Sequence, residues 1–278
     1  MKMRGVSLAF TLAIGAGSLF GTGPAAAQED FRAADLDRPI QVEDAYPVKY
    51  REWELETGSR GVWSKAQNQA EGSIEIKTGI LLNTQAGLTL EGAWEDDGSG
   101  VAGGGLHVFH NFNRETWSWP ALTGRVDVLT PGTGDVGRDD WGVSLLGIAT
   151  RSLHRLRLHA NAGYANEDEE FWRAGVAFDY PLGLFSRAIL GDLYAEIPTD
   201  GGNDRVLAEF GTRWQLTNWS VLDVGLGTRL DEWADGRQPR ARCRFLAGLR
   251  GARTDERAAL SESEDRLMAG GAAGGHPR

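Results

Sequence analysis

The 278-residue chain reads as an all-β protein, a single closed antiparallel transmembrane β-barrel of about 12 strands. Short stretches alternate apolar with polar residues, and the turns between them alternate as well: every second one is acidic, while the others are mostly short and flanked by Trp. Strands that run up and down through a bilayer write this double pattern, because they expose opposite ends to different compartments. No segment after the N-terminal one has roughly 18 unbroken apolar residues, so no α-helix is expected to span a membrane.

The N-terminus sets the expected compartment. Lys2 and Arg4 precede an apolar run from Val6 to Phe20, and Ala25 and Ala27 form an A-x-A site before Gln28, which marks residues 1–27 as a secretory signal peptide. Residues 28–45 are polar and read as a periplasmic leader, residues 46–250 as the barrel, and the Gly-, Ala-, Glu- and Ser-rich residues 251–278 as a disordered polar tail. The mean hydropathy of -0.34 fits a barrel, whose lumen-facing half is polar.

Strands are expected near Tyr46 to Glu56, Val62 to Ser73, Ala86 to Glu95, Val101 to Asn113, Trp119 to Leu129, Asp140 to Thr150, Arg155 to Ala165, Phe171 to Pro181, Phe185 to Ile197, Asp204 to Leu216, Ser220 to Leu230 and Pro239 to Leu249. Each is near the ~9 to 11 residues that a tilted transmembrane strand needs. The pattern is cleanest late in the chain. Val206, Ala208, Phe210, Thr212, Trp214 and Leu216 take one face and Arg205, Glu209, Arg213 and Gln215 the other, as the period of two requires. Leu222, Val224 and Leu226 against Asp223 and Arg229 repeat this, as do Leu156, Leu158, Ala160 and Tyr164 against Arg155, Arg157 and His159. The second and sixth stretches alternate poorly.

Charge sorts by loop parity. Glu95 to Asp97, Asp135 and Asp139, Glu167 to Glu170, Asp200 and Asp204, and Asp231, Glu232 and Asp235 follow the odd-numbered strands from the third onward. The intervening connections hold little acid. Trp63, Trp94, Trp141, Trp172 and Trp233 fall near the acidic end of their strands and Trp117, Trp119, Trp214 and Trp219 near the other, leaving Trp53 mid-strand. Two aromatic girdles at the membrane interfaces account for this.

On this parity the lumen-lining candidates are Glu52, Glu54, Glu56, Arg125, Asp127, Arg155, Arg157, Arg173, Asp179, Asp192, Glu196, Arg205, Glu209, Arg213, Asp223, Arg229, Arg240, Arg242 and Arg244. Arg213 is expected to pair with Asp223 across the turn at Thr217 to Trp219. At the seam an antiparallel ladder of Glu56 with Arg240, Glu54 with Arg242 and Glu52 with Arg244 keeps a constant register. Mixed charge cancels ion selectivity, and about twelve strands lie between a filled and an open barrel.

No catalytic, cofactor or metal site is expected. His107, His110, His154, His159 and His276 are scattered, with His107 and His110 of opposite facing parity, and neither H-E-x-x-H nor G-x-S-x-G occurs. Gly103 to Gly105 marks a strand that bends or packs closely. Cys243 is the lone cysteine, which excludes an intrachain disulfide, and the net charge of -10 argues against nucleic acid.

Several stretches resemble one family. Arg38 to Ala45, Asn111-Phe112-Asn113 with Glu115-Thr116 and Trp119 to Leu122, Pro131 to Gly134, Asp192 to Glu196, and Gln215 to Thr217 leading to Leu222 to Gly227 are similar to the outer-membrane transporters grouped as the MetA-pathway of phenol degradation family. The resemblance covers nearly the whole mature chain up to about Leu249. It implies an outer-membrane barrel that passes hydrophobic or aromatic compounds. Such barrels end at an aromatic residue that the assembly machinery reads, whereas a polar tail follows here, so either the signal is internal around Phe245 or assembly is compromised.

The reading is therefore an outer-membrane barrel, not an enzyme, acting as a monomeric passive channel for small molecules. Its expected partners are outer-membrane lipids and lipopolysaccharide, the barrel assembly machinery and a small solute. A filled, non-conducting barrel with a structural or binding role is the alternative, and a soluble secreted β-protein comes third.

Overall fold

A computed structural model describes residues 40–63, 68–95, 98–183, 187–217, 220–231 and 241–252. The signal peptide, most of the leader, Asp96, Asp97, Trp219, Glu232, Trp233, Asp235, Arg240 and the tail beyond Ala252 lie outside them. Among the described residues the strands are β1 (Glu52–Trp63), β2 (Asn68–Leu81), β3 (Thr84–Glu95), β4 (Ser99–Asn113), β5 (Ala121–Thr130), β6 (Gly142–Leu153), β7 (Leu156–Asn166), β8 (Glu170–Leu182), β9 (Arg187–Pro198), β10 (Arg205–Thr217), β11 (Ser220–Arg229) and β12 (Ala241–Ala252). All pairings between them are antiparallel, each strand bonding to its sequence neighbours; the β12 backbone pairs with β11 on one side and β1 on the other.

The hydrophobicity of the sheet is inverted relative to a soluble protein. Ile74, Ile76, Leu88, Leu90, Leu106, Val108, Leu145, Val176, Leu193 and Phe210 are exposed on the outer face, while charged residues are buried on the inner one. Period-two geometry accounts for both sets at once: β8 alternates exposed and buried positions from Glu170 to Phe178. Trp94, Trp141 and Trp172 sit exposed at the acidic end, Trp117 and Trp119 at the other. Trp53 is the second residue of β1, so it belongs to the short-turn girdle and is not mid-strand.

The nine strands from β3 to β11 lie where the alternation puts them, but the first two do not. Tyr46 to Arg51 is not the start of a strand; it carries Pro47 and ends at Arg51, whose φ is 69°. β1 begins at Glu52, and β2 runs on to Leu81 through the alternating Ile74, Ile76 and Ile80 before a tight turn at Leu82 and Asn83. The glycine run in β4 does mark an irregularity. The β3–β4 register slips there, with Glu91 opposite Gly103 and Gly92 opposite Val101.

The expected Glu–Arg ladder does not form. Glu52, Glu54 and Glu56 lie opposite Ala252, Arg250 and Gly248, while Arg244 lies opposite Arg60 and Arg242 opposite Val62. A curled sheet joins its end strands with a stagger, so matching charges by counting from the chain ends misses the register. Glu54 and Glu56 turn instead to Lys77 of β2, whose Nζ is 3.9 Å from Glu54 Oε2 and 2.6 Å from Glu56 Oε1.

Candidate functional site

The interior is occupied by the chain itself. Residues 40–45 run as an irregular segment inside the sheet, where Ile40, Val42 and Ala45 have no solvent exposure and Glu43 and Asp44 have 2%. A backbone in this position has no ladder partner, and buried N–H and C=O groups must find one. Wall side chains supply it at every second residue. Gln41 N–H donates to Asp192 Oδ2 (2.7 Å) and Ala45 N–H to Thr150 Oγ1 (2.9 Å), while Ala45 O accepts from Asn111 Nδ2 (2.9 Å) and Thr123 Oγ1 (2.8 Å). The Asn161 amide, oriented to satisfy both its groups, accepts from Glu43 N–H (2.7 Å) and donates to Glu43 O (3.0 Å).

Side chains of the segment are matched to the wall. Ile40 and Val42 pack with Ala177, Leu190, Tyr194 and Leu207, and Ala45 with Phe109, Ala121, Leu146 and Ile148. A Cβ at Gly175 would lie 2.6 Å from Val42 Cγ2, so the absence of a side chain there makes room for the segment. Arg125 Nη1 donates to both carboxylate oxygens of Glu43 (3.0 and 3.1 Å), and Arg157 Nη1 is 3.9 Å from Asp44 Oδ2. The Asp179 carboxylate only accepts, so His159 Nε2–H donates to its Oδ2 (2.9 Å), and in the neutral imidazole this leaves Nδ1 to accept from the Thr150 hydroxyl (3.0 Å), whose oxygen also accepts from Ala45 N–H. That hydroxyl–imidazole–carboxylate chain is fully buried and is spent on holding Ala45.

Beyond the segment the chain crosses the short-turn end. Val48 N–H donates to Gln85 Oε1 (2.6 Å), Tyr50 bridges Gly79, and Tyr46 OH donates to Glu115 Oε2 (3.2 Å). Glu115 also accepts from Ser152 N–H (2.7 Å). Burial, followed by the neighbouring Glu115 and Asp44 charges, pushes the Tyr46 phenol up to about 12. Burial pushes the Glu115 carboxyl up as well, but the Ser152 N–H, the Tyr46 hydroxyl and Arg151 outweigh it and hold the group below its ordinary range.

Toward the acidic loops the interior opens into a cavity of about 720 Å³, floored by Gln41, Arg125, Asp127, Ser144 and Arg173 and mouthed by Arg60, Glu71, Arg138, Glu167, Glu196 and Arg205. Charges alternate round the mouth. Arg60 meets Glu71, Arg205 meets Glu169 and Glu196, and Arg138 is 3.5 Å from Glu167. Burial in this ring pushes the Glu167 carboxyl up against the pull of Arg138 and Arg173. Glu167 and Glu169 of the acidic loops thus find arginines, and among the described residues no group of side chains suited to a metal ion occurs.

Most of the nineteen charged candidates named from sequence lie on the inner face, but they do not form one continuous charged lining. Glu54, Glu56, Arg125, Asp127, Arg157, Arg173, Asp179, Asp192, Glu209, Arg213 and Asp223 are buried inside. Glu52, Glu196, Arg205 and Arg229 are half-buried near the strand ends, the last with Asp231 at 2.5 Å. Arg155 is exposed on the β6–β7 turn, where it donates to Pro181 O and Gly183 O, so it stands at the rim. Arg240 is outside the described residues, and of Arg242 and Arg244 the backbone alone is described.

Sequence reasoning missed the neutral and apolar half of the site. Asn111, Thr123, Thr150, Asn161 and His107 share the inward parity of the charged set but carry no formal charge, and His159, which the alternation puts on the polar face with Arg155 and Arg157, is not among the charged candidates either. His107 faces inward beside Glu75 (3.2 Å), whereas His110 is on the outer face with Thr84 (2.8 Å), as their parity predicts. The apolar inner residues left a signal too: β6 alternates poorly because Leu146 and Ile148 face the segment while Val143 and Leu145 face outward.

No family model matches the sequence, and no curated protein matches it. Among solved structures the fold is similar to the NanC porin (TM-score 0.52, 8% identity, covering 71% of this chain and 98% of that one) and to an outer membrane channel from Pseudomonas putida F1 (TM-score 0.52, 11% identity, covering 75% and 97%). At these identities the likeness is one of fold: this chain is an all-β antiparallel structure of the outer-membrane barrel type.

Proposed function

We propose that the chain is a closed twelve-stranded barrel of the bacterial outer membrane that acts as a passive channel for small molecules, shut at its short-turn end by residues 40–45. The buried segment is the observation that carries this reading. A barrel filled for stability alone has no need of an irregular segment whose backbone is satisfied mainly by side chains. The vestibule above it, of about 720 Å³, has the volume of a small-molecule site. Export by the signal peptide, contact with lipid and lipopolysaccharide, and a monomeric state complete the proposal, and the resemblance to the phenol-degradation transporters supports an aromatic or hydrophobic solute.

Planar-bilayer recording of the full chain against a variant with residues 40–45 replaced by Gly and Ser tests it. The full chain is expected to give small or rare steps and the variant larger, sustained ones. Equal large steps from both remove the segment as the closure. Silence from both, with no liposome swelling in small sugars, makes the barrel a filled structural one.

A further inference from the structure

We infer that Arg125 is a recognition site for the carboxylate of a small organic monoanion, and that Glu43 occupies it as the chain's own stand-in for that solute. The inference deepens the channel reading and rests on it. Arg125 is oriented by the wall: its Nε donates to Asp127 Oδ1 at 2.8 Å and its Nη2 lies 2.7 Å from the same oxygen, two residues along β5. This leaves Nη1 presented to the interior, where it holds both oxygens of Glu43. A planar guanidinium fixed in this way suits a carboxylate better than a flexible ammonium would.

Other buried cations have carboxylate partners on the wall. Arg213 forms its pair with Asp223, Lys77 with Glu56, and Arg157 with Asp179 at 2.7 Å. Arg125 gives its interior-facing nitrogen to a carboxylate that the segment supplies, with both oxygens at hydrogen-bond distance. It also lines the vestibule, so a solute entering from the acidic end reaches the same group from the other side. Arg173 stands beside it, tied to Ser144 Oγ, which bonds Asp127 Oδ2 at 3.3 Å. Arg173 lines the same cavity, and its buried Nε has no hydrogen-bond partner among the described residues, which leaves a donor for an arriving carboxylate. Leu129, Phe171, Tyr194 and Leu207 give the carbon skeleton an apolar wall. Asp127 and Glu75 close by repel a second negative charge, so a monocarboxylate is favoured over a dianion.

The test is equilibrium binding of benzoate, with benzamide as its uncharged analogue, to the refolded full chain in detergent, titrated by calorimetry. Glu43→Gln removes the competing charge and is expected to tighten benzoate binding by about tenfold. Arg125→Lys keeps the charge without the fork and is expected to lose about tenfold in the Glu43→Gln background, with heat-modifiable gel mobility confirming the fold. Benzamide should bind none of the three detectably. Benzoate binding that is equal in wild type and Glu43→Gln, or absent from a folded Glu43→Gln barrel, or unchanged by Arg125→Lys, overturns the assignment. Binding without conductance in any variant would instead sink the channel reading and leave the site, whereas conductance without binding would do the reverse.

Discussion

Arg213 of β10 and Asp223 of β11 stand directly opposite each other and close a two-point ion pair, Nε to Oδ1 at 2.6 Å and Nη2 to Oδ2 at 2.9 Å, with 2% and 0% of the residues exposed. Neither side chain is exposed, so removing one leaves the other a buried charge without its two-point partner. Arg213→Met or Asp223→Leu alone is expected to destabilise the folded barrel by about 3 to 5 kcal/mol, and the double variant by clearly less than the sum. Urea unfolding of the refolded barrel followed by gel mobility measures this, and additive losses would show that the pair contributes nothing as a pair.

This pair was legible in the sequence, and the reason generalises. Arg213 and Asp223 share a parity and flank a short turn, so their register follows from local counting. The β1–β12 register and the segment inside the barrel depend on how the whole sheet curls, which no window of ten residues encodes. Ile40 to Ala45 reads as part of a polar leader, yet it is buried and its backbone partners are side chains from β4, β5, β6, β7 and β9. The poor alternation of the sixth strand was the available hint. Apolar residues on both faces of a barrel strand mean that something apolar lies within.

The crossing at the short-turn end depends on one glycine. A Cβ at Gly79 would collide with the carbonyl oxygen of Lys49, a backbone atom that has no rotamer to change. Gly79→Ala is therefore expected to displace residues 48–50 and loosen the segment behind them. Trypsin should cut after Lys49 faster in the variant than in the wild-type barrel at equal heat-modifiable mobility; unchanged cleavage would place the hold elsewhere.

The Tyr46–Glu115 contact gives the crossing a pH window. The phenol is raised in the folded state, so its contribution is complete below its ordinary pKa of about 10 and is lost as pH climbs toward the folded value. The Glu115 carboxyl is lowered, so its contribution is present above about pH 4.3 and is lost as pH falls through its folded range. Tyrosinate absorbance should show a late-titrating component that Tyr46→Phe diminishes by one phenol. The same variant should make Lys49 cleavage less dependent on pH between neutrality and the alkaline range; a late phase that Tyr46→Phe leaves undiminished assigns it to another tyrosine.

Lipid contact on the outer face is open to a direct measure. Val176 is exposed in the middle of β8 and lies across from Leu193 of β9, which is exposed as well. If both face hydrocarbon, Val176→Arg costs about 2 to 4 kcal/mol at the bilayer midplane, whereas Val176→Leu is near neutral. Refolding into lipid vesicles across a urea series would read the difference. Equal stability of the two variants means that this face does not meet lipid.

Loop parity, finally, predicts which way the barrel points. The connections after β3, β5, β7 and β9 carry acid and share one end, where Arg138 meets Glu167 and Arg205 meets Glu169, while the segment leaves the interior at the opposite, short-turn end beside Glu115. Outer-membrane barrels keep short turns in the periplasm and longer loops at the surface. An epitope inserted between Asp200 and Asp204, where the chain turns through Gly201 with a φ of 81°, should accordingly be labelled on intact cells. A second epitope in the β6–β7 turn at His154 should need permeabilised cells. The reverse result would put the segment and its crossing on the outside, and the vestibule that holds Arg125 and Arg173 would then open to the periplasm.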